Sequence, residues 1–151
     1  MMASSVRAEI VAEKIAYIRN MVEAIRTLPL SGYDDFSADT RNAAAAESYL
    51  RRALEALFDL GRHMLVKAFA AAPAEYKQIA EGLTQKGVLS KKEGRILQEM
   101  AGYRNRMVHF YHEIGGRELY DICRDRLADI EGISNTFGQW LREHPEKVTG
   151  L

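Results

Sequence analysis

The chain has 151 residues, enough to bury roughly 70% of its unfolded surface with no disulfide or metal staple. Its 21 Lys and Arg balance 21 Asp and Glu, which excludes a generic polycation that coats nucleic acid but not a local basic groove. Cys123 is the single cysteine, so an intrachain disulfide and Cys/His zinc-finger spacing are excluded, and a reducing compartment is favoured.

Ala, Leu, Glu, Arg and Lys dominate, which favours helix throughout. No apolar run approaches the ~20 residues of a membrane span. The first residues lack the basic-then-apolar order of a signal sequence. The expectation is a soluble cytoplasmic protein that is not bound to membrane.

Residues 5–28 read as a first helix: Val11, Ile15, Ile18, Val22 and Ile25 recur at helical spacing, and Pro29 stops it. Ser31 to Asp35 read as a turn, with Ser37 or Asp39 able to cap a second helix and Phe36 able to pack back as a staple. That second helix spans about 37–72, with a stripe of Ala46, Leu50, Ala53, Leu57, Leu60 and Met64. Gly61 beside that stripe permits a close helix contact or marks a bend, and Pro73 closes the element.

A short third helix covers about 74–85, and Gly87 suits the position just past its end. Ser90-Lys91-Lys92-Glu93 is a capping-box pattern that opens a fourth helix. On that helix Leu97, Ala101, Arg104 and Val108 share a face. Arg104 therefore continues an apolar stripe and should be partly buried against another helix or subunit. After Gly115-Gly116 a last helix spans about 117–143, and residues 145–151 should fray. The sum is an all-α antiparallel bundle of about five helices, four of them long, in one domain over 1–151.

The chemistry concentrates between Tyr103 and His112, where Arg104, Asn105, Arg106, His109, Tyr111 and His112 crowd together. Arginine presents a planar fork suited to phosphate, and histidine exchanges protons near neutral pH. Together they suffice to cleave a phosphodiester without metal: His109 handles a proton of the attacking or leaving oxygen, and Arg104 stabilises charge on the phosphoryl oxygens. Asn105 could orient either group.

Geometry limits this reading. At about 100° per residue, Arg104 and His109 stand about 140° apart on an ideal helix, whereas Asn105 and His109 nearly align. Either the helix ends or distorts near His109, or the two converge across a dimer. A histidine among apolar neighbours is also more often structural than catalytic. The same holds for His63 on the second helix. Six basic residues between Lys86 and Arg106 (Lys86, Lys91, Lys92, Arg95, Arg104, Arg106) form a second, weaker signal for RNA phosphates. No P-loop, dinucleotide turn, nucleophile elbow or carboxylate metal cluster is present, so no cofactor or metal is expected.

Arg104-Asn105-x-x-Val108-His109-x-Tyr111 resembles the Arg-x4-His-x-Tyr motif of HepT-like toxins in the HEPN group of helical ribonucleases. Phe36 through Leu65, Gly87-Val88-Leu89 and Leu119-Tyr120 fit the same frame, so the resemblance covers roughly residues 10–143. It implies an all-α homodimer and a metal-independent endoribonuclease in which Arg104 and His109 carry catalysis. It also implies a type VII (HepT/MNT-type) toxin–antitoxin module, whose partner is an MNT-type nucleotidyltransferase antitoxin. That partner would neutralise the toxin by AMP transfer to the motif tyrosine, here Tyr111. The alternative is a non-enzymatic nucleotide-binding or dimerisation companion of a nucleotidyltransferase, with Arg104 and His109 holding a phosphate.

Overall fold

In the computed structural model, which describes residues 5–109 and 114–150, one long helix organises the chain. This is α3, Thr40–Phe69. Asp39 caps it by accepting the Arg41 N–H at 2.9 Å. Every residue of its expected stripe, from Ala46 to Met64, is buried. The other helices pack around it: α1 Ala8–Arg26, α2 Tyr33–Ser37, α4 Tyr76–Gln85, α5 Lys91–Val108, α6 Gly116–Asp125 and α7 Leu127–Glu143. Truncating a fully buried Leu57 or Leu60 to Ala should cost about 2–5 kcal/mol.

The all-α class stands, but there are seven α-helices among the described residues rather than about five. The expected turn after Pro29 contains α2, whose Phe36 is buried against the Tyr120 ring, at 5.4 Å between centroids. The expected helix over 117–143 is broken at Arg126, where φ is −114° and ψ is 1°. Arg126 is held there from three sides: Asp129 Oδ2 accepts from its Nε at 2.6 Å, while Glu99 Oε2 and the Tyr103 hydroxyl accept from Nη1 at 2.9 and 3.3 Å. The break lets Tyr120 and Cys123 of α6 and Ile130 and Phe137 of α7 all be buried.

The segment after Pro145, expected to fray, instead forms a 3₁₀ turn, Pro145–Lys147, and a short strand β2, Val148–Thr149. β2 pairs in parallel with β1, Val6–Arg7, with Val6 opposite Val148. The Arg7 N–H also donates to His63 Nε2 at 3.2 Å. His63 is thus a structural acceptor that ties β1 to α3.

Two local features set the position of α4 and α5. A Cβ at Gly61 would stand 3.0 Å from Ile79 Cγ2 and from Leu83 Cδ1, so glycine permits the close approach of α3 and α4. Gly87, at φ +77°, turns the chain out of α4 in the left-handed conformation that glycine adopts freely. The Ser90 box then starts α5 with both reciprocal bonds at 3.1 Å: Glu93 N–H to Ser90 Oγ, and Ser90 N–H to Glu93 Oε1.

Candidate functional site

Arg104 lies one turn before the end of α5, with its side chain 24% exposed. It packs against α4 and α3, as its place on an apolar stripe implies. The guanidinium carbon sits 4.8 Å from the centroid of the Tyr76 ring, a cation–π distance. Its Nη2 is 3.8 Å from Glu55 Oε2, a loose ion pair, and its Nε is buried with no hydrogen-bond partner. The head group is therefore oriented by a ring and a carboxylate but not saturated by them.

Tyr76 opens α4 and forms the floor of this arrangement. Phe58 stacks on it, with centroids 4.5 Å apart and planes 3° from parallel, and Arg62 approaches within 5.8 Å of the ring centroid. Glu55, Phe58 and Arg62 come from one face of α3 at helical spacing. Burial raises the Tyr76 phenol above its ordinary pKa; Arg104 and Arg62 oppose this, while Glu55 and Asp59 add to it. The ring stays neutral at physiological pH and serves as a surface between cations.

These groups border a concavity of about 520 Å³ lined by Arg62, Ala74, Glu75, Tyr76, Lys77, Arg104, Asn105 and His109. Arg62, Lys77 and Arg104 outnumber Glu75, so the cavity favours an anion. The N-terminus of α4 opens onto the same space and adds the positive end of a helix dipole.

The angular conflict between Arg104 and His109 is resolved by the end of the helix. α5 stops at Val108, and His109 has extended backbone, φ −92° and ψ 118°, although its N–H still reaches Asn105 O at 3.0 Å. Arg104, Asn105 and His109 consequently line one cavity, with His109 exposed at its edge. Tyr111 and His112 lie outside the described residues. The segment that carries Tyr111 is bracketed by a two-pronged ion pair: Arg106 of α5 donates to Glu118 of α6 at 2.7 and 2.6 Å.

The other basic residues of the 86–106 stretch do not join the cavity. Arg106 is engaged by Glu118, Lys86 rests 5.8 Å from the Phe69 ring centroid, and Lys91 and Arg95 line a separate cleft between α4 and α5. The cations that do converge with Arg104 are Arg62 and Lys77, together with Tyr76 and Glu55 that position it. Residue chemistry did not single these out, because they come from α3 and α4 and meet Arg104 only in the fold. Among the described residues no group of three or more His, Cys, Asp or Glu could hold a metal ion. Burial pushes the Cys123 thiol up to about 12, so it is not a nucleophile.

The fold and the site together are an all-α helical frame with an arginine, an amide and a histidine around an anion-favouring cavity. The sequence model described as Ribonuclease HepT-like matches residues 11–137. The chain therefore belongs to the HepT-like ribonuclease family. No curated protein matches the sequence.

Solved structures share the fold. A tri-AMPylated HEPN toxin from Shewanella oneidensis, in complex with MNT antitoxin, superposes with a TM-score of 0.79 at 23% identity, covering 86% of this chain and 97% of that one. A toxin–antitoxin complex with AMP-PNP gives 0.75 at 22% identity, over 85% and 97%. YutE, a cytosolic protein of unknown function from Bacillus subtilis, gives 0.76 at 17% identity, over 95% of each chain. No helix among the described residues is long and apolar enough to cross a membrane.

Proposed function

We propose that this protein is the toxin of a two-component HepT/MNT-type module, a metal-independent endoribonuclease that acts as a homodimer. The observation that carries the reading is the meeting of Arg104, Asn105 and His109 on one cavity with a cationic excess. Family membership supports it independently.

In this reading the scissile phosphate lies against Arg104. The RNA 2′-hydroxyl attacks phosphorus, its proton passes to solvent, and the bond to the 5′ oxygen breaks to leave a cyclic phosphate. His109 delivers the proton that the departing 5′ oxygen needs. Arg104 stabilises the charge that builds on the non-bridging oxygens, and its preorganisation on Tyr76 saves the cost of ordering it during reaction. Asn105, one turn before His109, orients the imidazole or the phosphate. Val108, an exposed hydrophobic at 42% next to His109, is where a second protomer would pack.

An MNT-type nucleotidyltransferase is the proposed antitoxin. It would transfer AMP from ATP to the Tyr111 hydroxyl, releasing pyrophosphate. The added phosphate places negative charge and bulk at the mouth of an RNA-binding site and repels substrate. Support comes from the S. oneidensis relative, which is an AMPylated HEPN toxin in complex with MNT antitoxin.

Expression of wild type and His109→Ala in a bacterial host tests the toxin reading. Growth arrest by wild type alone is expected; equal toxicity of the two would contradict it. Incubation with the partner and ATP should add AMP mass at Tyr111. Unchanged labelling in Tyr111→Phe would remove the modification claim.

A further inference from the structure

Arg62 has an unusual situation for a half-buried arginine. It lines the same cavity as Arg104 and His109, yet no carboxylate among the described residues lies within ion-pair distance of it. The acids nearest to it on the same helix face are engaged elsewhere. Asp59 pairs with Lys14 at 3.6 Å, and Glu55 serves Arg51 at 3.0 Å and Arg104 at 3.8 Å. What Arg62 does have is the Tyr76 ring, 5.8 Å from its guanidinium carbon. That ring also carries Arg104 at 4.8 Å. One aromatic, stacked on Phe58, thus has two guanidinium groups beside it on one concave wall. Glu75 lines the cavity as well and disfavours an anion on its own side, which leaves the wall between the two arginines as the phosphate-binding one.

A single guanidinium serves one phosphate, and a nucleic-acid backbone presents a phosphate at every nucleotide. We infer that Arg62 binds the phosphate that flanks the scissile one, so that the site engages single-stranded RNA through at least two successive phosphates, Arg104 on the first and Arg62 on the second. The assignment rests on the ribonuclease reading above. Arg62 is a binding residue in this scheme, with no role at the reacting atoms. A single strand is the form that fits: the two arginines sit inside a concavity, which a flexible backbone can enter and a stiff A-form duplex cannot.

The test uses the full chain and two uncleavable 2′-deoxyuridine oligonucleotides without terminal phosphates, one with a single internal phosphate and one with two, titrated by NMR at several salt concentrations. In wild type the second phosphate should strengthen binding. In Arg62→Ala and Arg62→Gln that gain should shrink by roughly tenfold, the scale of one charged hydrogen-bonding contact. The dependence of log affinity on log salt for the two-phosphate probe should become shallower by about 0.7, the value for one lost phosphate contact on a single strand. Arg62→Lys should restore much of both effects, because a point charge still meets phosphate.

A gain from the second phosphate that is the same in wild type and all Arg62 variants would overturn the assignment, as would no detectable binding of the two-phosphate probe by wild type. Cleavage of RNA is scored separately. If wild type cuts RNA while the gain is insensitive to Arg62, the subsite falls and the ribonuclease reading stands. If wild type cuts no RNA while the gain depends on Arg62, the ribonuclease reading falls and the second phosphate contact remains.

Discussion

Two charged concavities flank α3, and they differ in how their charges are used. The cleft between α1 and α3, about 360 Å³, is lined by Glu13, Lys14, Arg51, Arg52, Glu55 and Asp59, three cations against three carboxylates. Two of its three cations are paired, Lys14 with Asp59 at 3.6 Å and Arg51 with Glu47 and Glu55 at 3.3 and 3.0 Å, and the remaining Arg52 and Glu13 are opposite in sign. The cavity between α3, α4 and α5 has cations to spare. Arg104 keeps only a loose ion pair and an unpartnered Nε. The lesson is that a charged surface on a helical protein is ordinarily neutralised in place, and the charge left over marks where a ligand belongs.

The contrast repeats two residues apart on α5. Arg106 is satisfied by both Glu118 oxygens and its pKa is raised, first by that hydrogen-bonded carboxylate. Arg104 has no such partner. Residue type alone does not separate these two arginines; the motif spacing picks Arg104, and the surroundings give the physical reason.

The largest way to break the comparison is Arg104→Ala. RNA cleavage should fall about 10²–10³-fold, the usual cost of a group that stabilises transition-state charge, while the thermal midpoint moves by only a few degrees. Arg51→Ala in the opposite cleft should change cleavage less than about twofold, since a partly exposed ion pair contributes ~0–1 kcal/mol to stability alone. Comparable losses from the two variants would erase the distinction.

Next in size is the ring between the arginines. Tyr76→Leu removes an aromatic pair and a cation–π platform and should cost about 1–3 kcal/mol in urea unfolding, with reduced cleavage. Tyr76→Phe should retain both stability and activity, because the ring face rather than the hydroxyl carries Arg104.

A smaller effect concerns His63, which should behave structurally. Burial first, then Lys67 and Arg7, lower its pKa, so the folded state binds this proton less readily than the unfolded chain. Its contribution is present above the unfolded value of about 6.5 and is lost as pH falls through the depressed folded value. Urea midpoints should drop between pH 7.5 and 5, and His63→Gln should flatten part of that slope. The smallest expected effect is Lys14→Ala: a loss of ~0–1 kcal/mol, diminished further at high salt, measured by the same unfolding curves.

Much of the frame was legible because it rests on local rules. The stripe from Ala46 to Met64, the Asp39 cap, the Ser90 box and the Gly87 turn all appear where spacing and capping chemistry put them. The break at Arg126 was not, since Leu119, Cys123, Leu127 and Ile130 continue an unbroken helical spacing, and what holds the break is tertiary: Glu99 and Tyr103 on α5 reaching Arg126. The ordered tail depends on Val148 meeting Val6, a pairing between opposite ends of the chain that no window of sequence displays. At the site, Arg104, Asn105 and His109 were visible from residue chemistry. Arg62 and Tyr76 were not, because they come from α3 and α4 and reach Arg104 only through packing. The ideal-helix angle between Arg104 and His109 called for a helix that ends or distorts near His109 or for convergence across a dimer, and within the chain α5 does stop one residue short of the histidine.

The most direct test of the central claim is the rate of RNA cleavage by purified wild type and His109→Ala, in the presence of a metal chelator. Wild type should cut single-stranded RNA and leave a cyclic phosphate end, and His109→Ala should be slower by about 10²–10⁴-fold while still binding an uncleavable oligonucleotide. Intact RNA in both reactions, with nucleotide binding retained, would contradict the account and leave a phosphate-binding companion of a nucleotidyltransferase in its place.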